Sequence, residues 1–167
     1  EAGLQDYGGI VGIAEALSYL KRIGLGEIEK HENKLNQRLT DGLNKLGVNI
    51  LGLSDAKLRG GIVSFNDGKM NPHDISLMLD SYGIMTRSGM HCVHSWFNAH
   101  GLKGSARASF YLYNTEDEVD LMIEKMKEII SNEFGKKYLE HHLQQEITKL
   151  NEFIPSIKNG INYKRPW

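Results

Sequence analysis

The sequence predicts an α+β fold: a small, mostly antiparallel sheet with helices packed on it. Two observations point there. Apolar stripes of helical period occupy the two ends of the chain, and short apolar runs of strand character lie between them. Strands and helices also fail to alternate strictly, as a parallel sheet built from crossovers would require.

The elements run in order. After a glycine-rich entry from Glu1 to Gly9, the spacing of Ile10, Ile13, Ala14, Leu17 and Leu20 predicts a helix from Ile10 to Ile23. Gly24 and Gly26 interrupt it. A second helix is expected over Glu27 to Leu46, with Ile28, Leu35, Leu39, Leu43 and Leu46 inward and charges on the solvated face. Gly47 ends it. Val48 to Leu53 and Gly61 to Asn66 read as strands separated by a polar loop, and Asp67-Gly68 turns the chain. Asn71 then offers an N-cap and Pro72 a first helical residue. That helix carries Ile75, Met78 and Leu79 and stops near Tyr82-Gly83. Ile84 to Thr86 is expected as a third strand, and Ser95 to His100 as a helical turn or two. Ser105 to Tyr113 alternates with period two, which sends Ala106 and Ala108 to one face and Arg107 to the other. Thr115 to Glu118 fits a capping box, opening a helix with Val119, Met122, Ile123, Met126 and Ile130. A further amphipathic helix is marked by Leu139, Leu143, Ile147, Leu150 and Ile154, before a polar and aromatic tail from Asn159 to Trp167. Core packing or an interface would each explain that last stripe.

Composition removes several function classes. With 167 residues and a net charge of −1, the chain has room for a real core and carries no basic footprint for nucleic acid. No apolar run reaches the roughly 18 residues of a membrane span, and no secretory leader is legible. The single cysteine allows no internal disulfide, and its reactivity fits a reducing, cytoplasmic setting. Gly8, Gly9 and Gly12 come after no strand and make no nucleotide-binding fingerprint.

Chemistry concentrates in Arg87-Ser88-Gly89-Met90-His91-Cys92-Val93-His94. A lone cysteine is most often a small buried hydrophobe. Here it lies in a glycine-containing turn among Arg87, His91 and His94, and neighbouring Arg or His⁺ favours the nucleophilic thiolate. Cys92 therefore reads as reactive. Zinc is the third reading, with His91, Cys92, His94 and His100 as ligands, but structural zinc sites usually present paired cysteines at short spacing. Arg87 and Arg107 supply two planar forks suited to a carboxylate, although a surface salt bridge is the blander reading of each. His91 titrates near neutrality and suits a proton carrier.

These residues resemble those of a known family, the group II cysteine desulfurases and selenocysteine lyases of the class V aminotransferase-like enzymes. Glu1-Ala2-Gly3 is similar to the family's Glu-Ala-Gly-Thr segment, and Gly9-Ile10-Val11-Gly12 is similar to the start of the family's long helix. Gly61 to Asn66 resembles the strand before a helix with a His-Asp-type pair, here His73-Asp74. Tyr82 to Cys92 resembles the strand and Arg-x-Gly-His-His-Cys-Ala motif. Ser105 to Ser109 and Tyr113 to Glu116 resemble the Arg-Ala-Ser and Tyr-Asn-Thr segments. The match runs from residue 1 to about 130.

The resemblance implies a fold-type I small C-terminal domain over residues 1–131, with 132–167 appended as a terminal helix and tail. It implies that Cys92 takes sulfur from the substrate as a persulfide, that Arg107 clamps the substrate carboxylate, and that Arg87 and His91 flank the thiol. It also implies a homodimer and a sulfur-acceptor protein. Met90 and Val93 depart from the family's histidine and alanine, and Leu4 stands where the family has a threonine. The implied cofactor, pyridoxal phosphate, needs a Schiff-base lysine that this chain lacks, since Lys57, Lys69 and Lys103 have no supporting motif. The chain, which begins without methionine, is therefore expected to be a piece of a longer enzyme or of a split one, inactive alone. A non-catalytic binding or dimerisation module of the same fold is the rival reading.

Overall fold

The structure is a computed structural model, and it describes residues 3–131 and Thr148. The domain division at residue 131, the helix marked by Leu139 to Ile154 and the aromatic tail lie outside the described residues. One compact unit spans Glu1–Lys127. Its elements run α1 (Tyr7–Ile23), α2 (Leu25–Lys45), β1 (Asn49–Leu51), β2 (Ile62–Asn66), α3 (Pro72–Asp80), β3 (Arg87–Gly89), α4 (His94–Ala99), β4 (Ser105–Ser109) and α5 (Glu116–Ile130), with a 3₁₀ turn at Ala56–Leu58. The four strands form one antiparallel sheet in the order β1-β2-β4-β3.

Local signals explain most element ends. Asp6 accepts a hydrogen bond from the Gly9 N–H, so α1 starts at Tyr7, three residues before the apolar stripe begins. Asn71 caps α3 through the His73 N–H, with Pro72 behind it. Thr115 and Glu118 exchange the two bonds of a capping box, Glu118 N–H to the hydroxyl and Thr115 N–H to the carboxylate.

Two strand expectations need correction. The expected strand at Ile84 to Thr86 begins instead at Arg87. The Ile84 N–H donates to Leu79 and the Thr86 hydroxyl to Ser76, so this segment is tied to α3 rather than to the sheet. β4 stops at Ser109 although its alternation continues to Tyr113. There Asn114 turns the chain, its side chain accepting from the Tyr111 N–H while its own N–H donates to the Tyr111 carbonyl.

Strand parity divides the sheet. Val63 and Phe65 of β2 and Ala106 and Ala108 of β4 share one face, where α2 contributes Leu35, Leu39 and Leu43 to the core, α3 Ile75 and Leu79, and α5 Val119, Met122 and Met126. Gly42 of α2 has no side chain to hold off Ile123, which lies directly against the helix backbone. At the rim Arg38 of α2 grips both Asp120 oxygens and reaches Glu116 on α5. The opposite face carries Arg87, Ser105, Arg107 and Ser64, paired across the strands. That face bears the candidate chemistry.

Leu39 is completely buried. Leu39→Ala is expected to cost about 2–5 kcal/mol, the usual loss for a large-to-small change in a core, read as a lowered urea midpoint. Glu116→Gln, at an exposed ion pair, is expected to cost less than about 1 kcal/mol in the same measurement.

Candidate active site

β3 and β4 bring two guanidinium groups together. Arg87 is the direct cross-strand partner of Arg107, and Ser64 flanks Arg107 on the other side. Like charges directly opposite each other destabilise a sheet. Arg87 is exposed, whereas Arg107 is half-buried and its Nε has lost water without gaining a hydrogen-bond partner among the described residues. A desolvated N–H donor left unpaired costs free energy. One acceptor spanning both side chains would relieve the repulsion and the unmet donor together. A carboxylate has that shape and charge.

The thiol lies in the loop that leaves β3. Cys92 is exposed, and it and His91 both hold left-handed backbone conformations, with φ of 63° and 48°. Such conformations cost about 1–3 kcal/mol each for residues other than glycine, so other contacts must fix the loop. The Val93 N–H donates to the Met90 carbonyl at 2.9 Å. His91 Nε2 lies 3.2 Å from the Ser105 carbonyl and 3.1 Å from its hydroxyl. The carbonyl only accepts, which assigns the hydrogen to Nε2 and leaves Nδ1 as the ring's free proton acceptor. Gly104 completes the clasp: a Cβ there would come within 2.9 Å of the Gly89 carbonyl oxygen. The chain before β4 thus fits against the chain after β3 only with glycine at that point.

These contacts hold His91 within electrostatic reach of Arg107 and Arg87, with Cys92 the next residue in the chain. Burial holds His91 below the ordinary histidine range. Arg107 and Arg87 push the same way, and the Ser105 bond offsets part of the effect. At neutral pH the ring is uncharged and able to take a proton.

Ser105 and Gly104 are site residues that the sequence reading missed. Period two was the available signal, because Ser105 shares the Arg107 face of β4. His73, on α3, has its Nδ1 3.1 Å from the Ser88 hydroxyl, which joins α3 to β3. His94 opens α4. His100 does not join the thiol: its Nδ1 donates to the Trp96 carbonyl at 2.8 Å, and its ring stacks on Trp96 at 4.2 Å. Among the described residues no three of His, Cys, Asp and Glu gather as a metal-holding group.

Nor do the described residues assemble a complete pyridoxal-phosphate pocket. Lys57, Lys69 and Lys103 are exposed. The cavity of about 370 Å³ bordered by Lys69 and Lys103 has no aromatic ring among its lining residues to cover a pyridine.

Comparison with known proteins decides the family. The family model for class-V aminotransferases matches residues 1–122. The chain belongs to the class-V aminotransferase family. A probable cysteine desulfurase of Pyrococcus abyssi is 37% identical over 132 residues, which are 79% of this chain and 33% of that protein. The apo structure of a cysteine desulfurase from Thermococcus onnurineus superposes with a TM-score of 0.76 at 42% identity, covering 79% of this chain and 33% of that one. A cysteine desulfurase from Escherichia coli gives 0.71 at 26% identity, covering 78% and 32%. This class-V aminotransferase chain therefore spans about a third of the length of the curated relatives it matches. Its small antiparallel sheet with packed helices is a fold it shares with cysteine desulfurases.

The clasp sets a pH dependence. The pKa of His91 is lowered in the folded chain, so the unfolded chain binds the extra proton first. The stability contributed by neutral His91 is complete above the unfolded histidine value of about 6.5 and is lost as pH falls through the folded value. Urea midpoints measured from pH 7.5 downward should fall, and His91→Gln should flatten that slope while keeping an N–H for Ser105.

Proposed function

We propose that this chain is the smaller, C-terminal domain of a pyridoxal-phosphate-dependent cysteine desulfurase or selenocysteine lyase, with residues 132–167 appended to it. The observation that carries the reading is the directly paired Arg87 and Arg107, with an unmet Nε, on the face whose next loop presents an exposed thiol. That arrangement suits a small amino acid bearing a carboxylate at one end and sulfur or selenium at the other. Its named relatives are cysteine desulfurases.

In this reading Arg107 and Arg87 bind the substrate carboxylate and so fix the side chain towards Cys92. The Cys92 thiolate attacks the substrate sulfur. An S–S bond forms as the carbon–sulfur bond breaks, and the bonding pair stays on the three-carbon fragment, which takes a proton and leaves as alanine. Cys92 is oxidised to a persulfide as that carbon is reduced, and selenium obeys the same balance. His91, neutral and with Nδ1 open, accepts the thiol proton. Pyridoxal phosphate supplies the electron sink when bound, and residues outside this chain hold it, including the Schiff-base lysine. A homodimer in the reducing cytoplasm, handing its sulfur to an acceptor protein, completes the proposal.

The test is kinetic, on the longer polypeptide that carries this chain and its cofactor. Arg107→Lys keeps the charge and loses the fork. A charge-assisted hydrogen bond contributes about 1.5–3 kcal/mol, so kcat/KM for cysteine should fall about 10- to 150-fold. Cys92→Ser should end alanine formation while the cofactor stays bound. Unchanged turnover in either variant would sink the assignment.

A further inference from the structure

The cavity of about 370 Å³ bordered by Lys69 and Lys103 opens where β2 ends, α3 begins and the chain enters β4. Its size falls within the roughly 300–1,000 Å³ of small-molecule sites. Apart from Gly104 of the clasp, no residue lining it takes part in the chemistry proposed above. Lys69 and Lys103 are its only charged lining residues, and neither joins an ion pair among the described residues. α3 brings the positive end of its helix dipole to the wall at Asn71 and Pro72. The nearby acids do not cancel this charge from within. Asp67 turns its carboxylate to the Lys69 and Met70 N–H groups, Asp74 lies in the first turn of α3, and neither lines the cavity.

A second observation is independent of the lysines. Asn66, at the end of β2, is only 8% exposed, and strand parity turns it away from the core that Phe65 enters. Its side-chain oxygen accepts one long bond, from Asn49 at 3.4 Å, and its amide nitrogen has no partner among the described residues. A donor removed from water and left unpaired costs free energy, and this one belongs to a residue of the cavity wall. Asn71 adds a further amide donor, since only its oxygen is engaged, by the His73 N–H. We propose that this cavity binds a small aliphatic anion, a phosphate monoester or a carboxylate. Lys69 and Lys103 supply the charge, Asn66 and Asn71 donate to its oxygens, and Met70, Pro72 and Leu102 cover its hydrocarbon part. The site is separate from the paired arginines but shares a wall with the thiol loop, because Gly104 both lines the cavity and packs on Gly89.

The experiment titrates the full 167-residue chain, followed by its amide NMR signals, with glycerol 3-phosphate, succinate and inorganic phosphate at constant ionic strength. At least one of the two organic anions should move the Gly68, Lys69, Gly101, Lys103 and Gly104 signals along one saturable isotherm, and more tightly than inorganic phosphate, which has no hydrocarbon part. Which of the two binds tighter distinguishes a phosphate monoester from a carboxylate ligand. The double variant Lys69→Gln, Lys103→Gln changes two exposed side chains, so its urea midpoint without ligand should stay that of the parent while its affinity falls about tenfold or more. Asn66→Asp, which sets a carboxylate in the wall, should weaken binding as well. The absence of a saturable shift with both organic anions overturns the proposal. So does an equal response to sodium chloride, which marks screening alone, or an affinity that the double lysine variant leaves unchanged.

Discussion

The candidate site depends on the register of β3 against β4. Three residues of β3 pair with β4, and parity sends Arg87 to the face of Arg107 while Ser88 faces the Ala106 side. A slip of one residue would reverse both. The contacts that hold the register lie on the other face. Ala106 is buried in the core, the His73 ring bonds the Ser88 hydroxyl, and Thr86 bonds Ser76 of α3. Core packing thus imposes an arrangement of two cations that neither would adopt alone. The repulsion is tolerable because the sheet is anchored from behind, and it leaves the site complementary to an anion.

The thiol loop obeys the same logic. His91 and Cys92 take left-handed conformations that the backbone disfavours. The contacts that offset this, His91 to Ser105 and Gly104 to Gly89, tie the loop to the first residues of β4. Ser105 lies two residues from Arg107 on the same face. The proposed carboxylate-binding group and the loop that carries the thiol are thus referred to one strand. Neutral His91 fits this environment, since a second proton would bring a third positive charge beside two guanidinium groups.

Much of this was legible in the sequence because it is local. The caps at Asn71 and Thr115, the α2 stripe and the alternation around Arg107 are set by neighbours within a few residues, and the structure has them. The cysteine turn and its arginines stood out by composition and by resemblance to the desulfurases. The misread elements depend on distant partners. Ile84 to Thr86 has strand-like residues, but α3 engages its hydrogen bonds. Ser105 looks like any strand serine until His91 folds back on it. The α1 stripe predicts a helix and the structure has one, but periodicity alone does not show that its apolar residues stay exposed.

The central claim is that Cys92 receives sulfur from a substrate held by Arg107 and Arg87. The most direct measurement is the mass of the Cys92 peptide from the longer, cofactor-loaded polypeptide after brief exposure to cysteine without a sulfur acceptor. The account predicts a peptide one sulfur atom heavier, reversed by a reducing thiol and missing from the Arg107→Lys protein under the same brief exposure. Alanine released while Cys92 stays unmodified would contradict it.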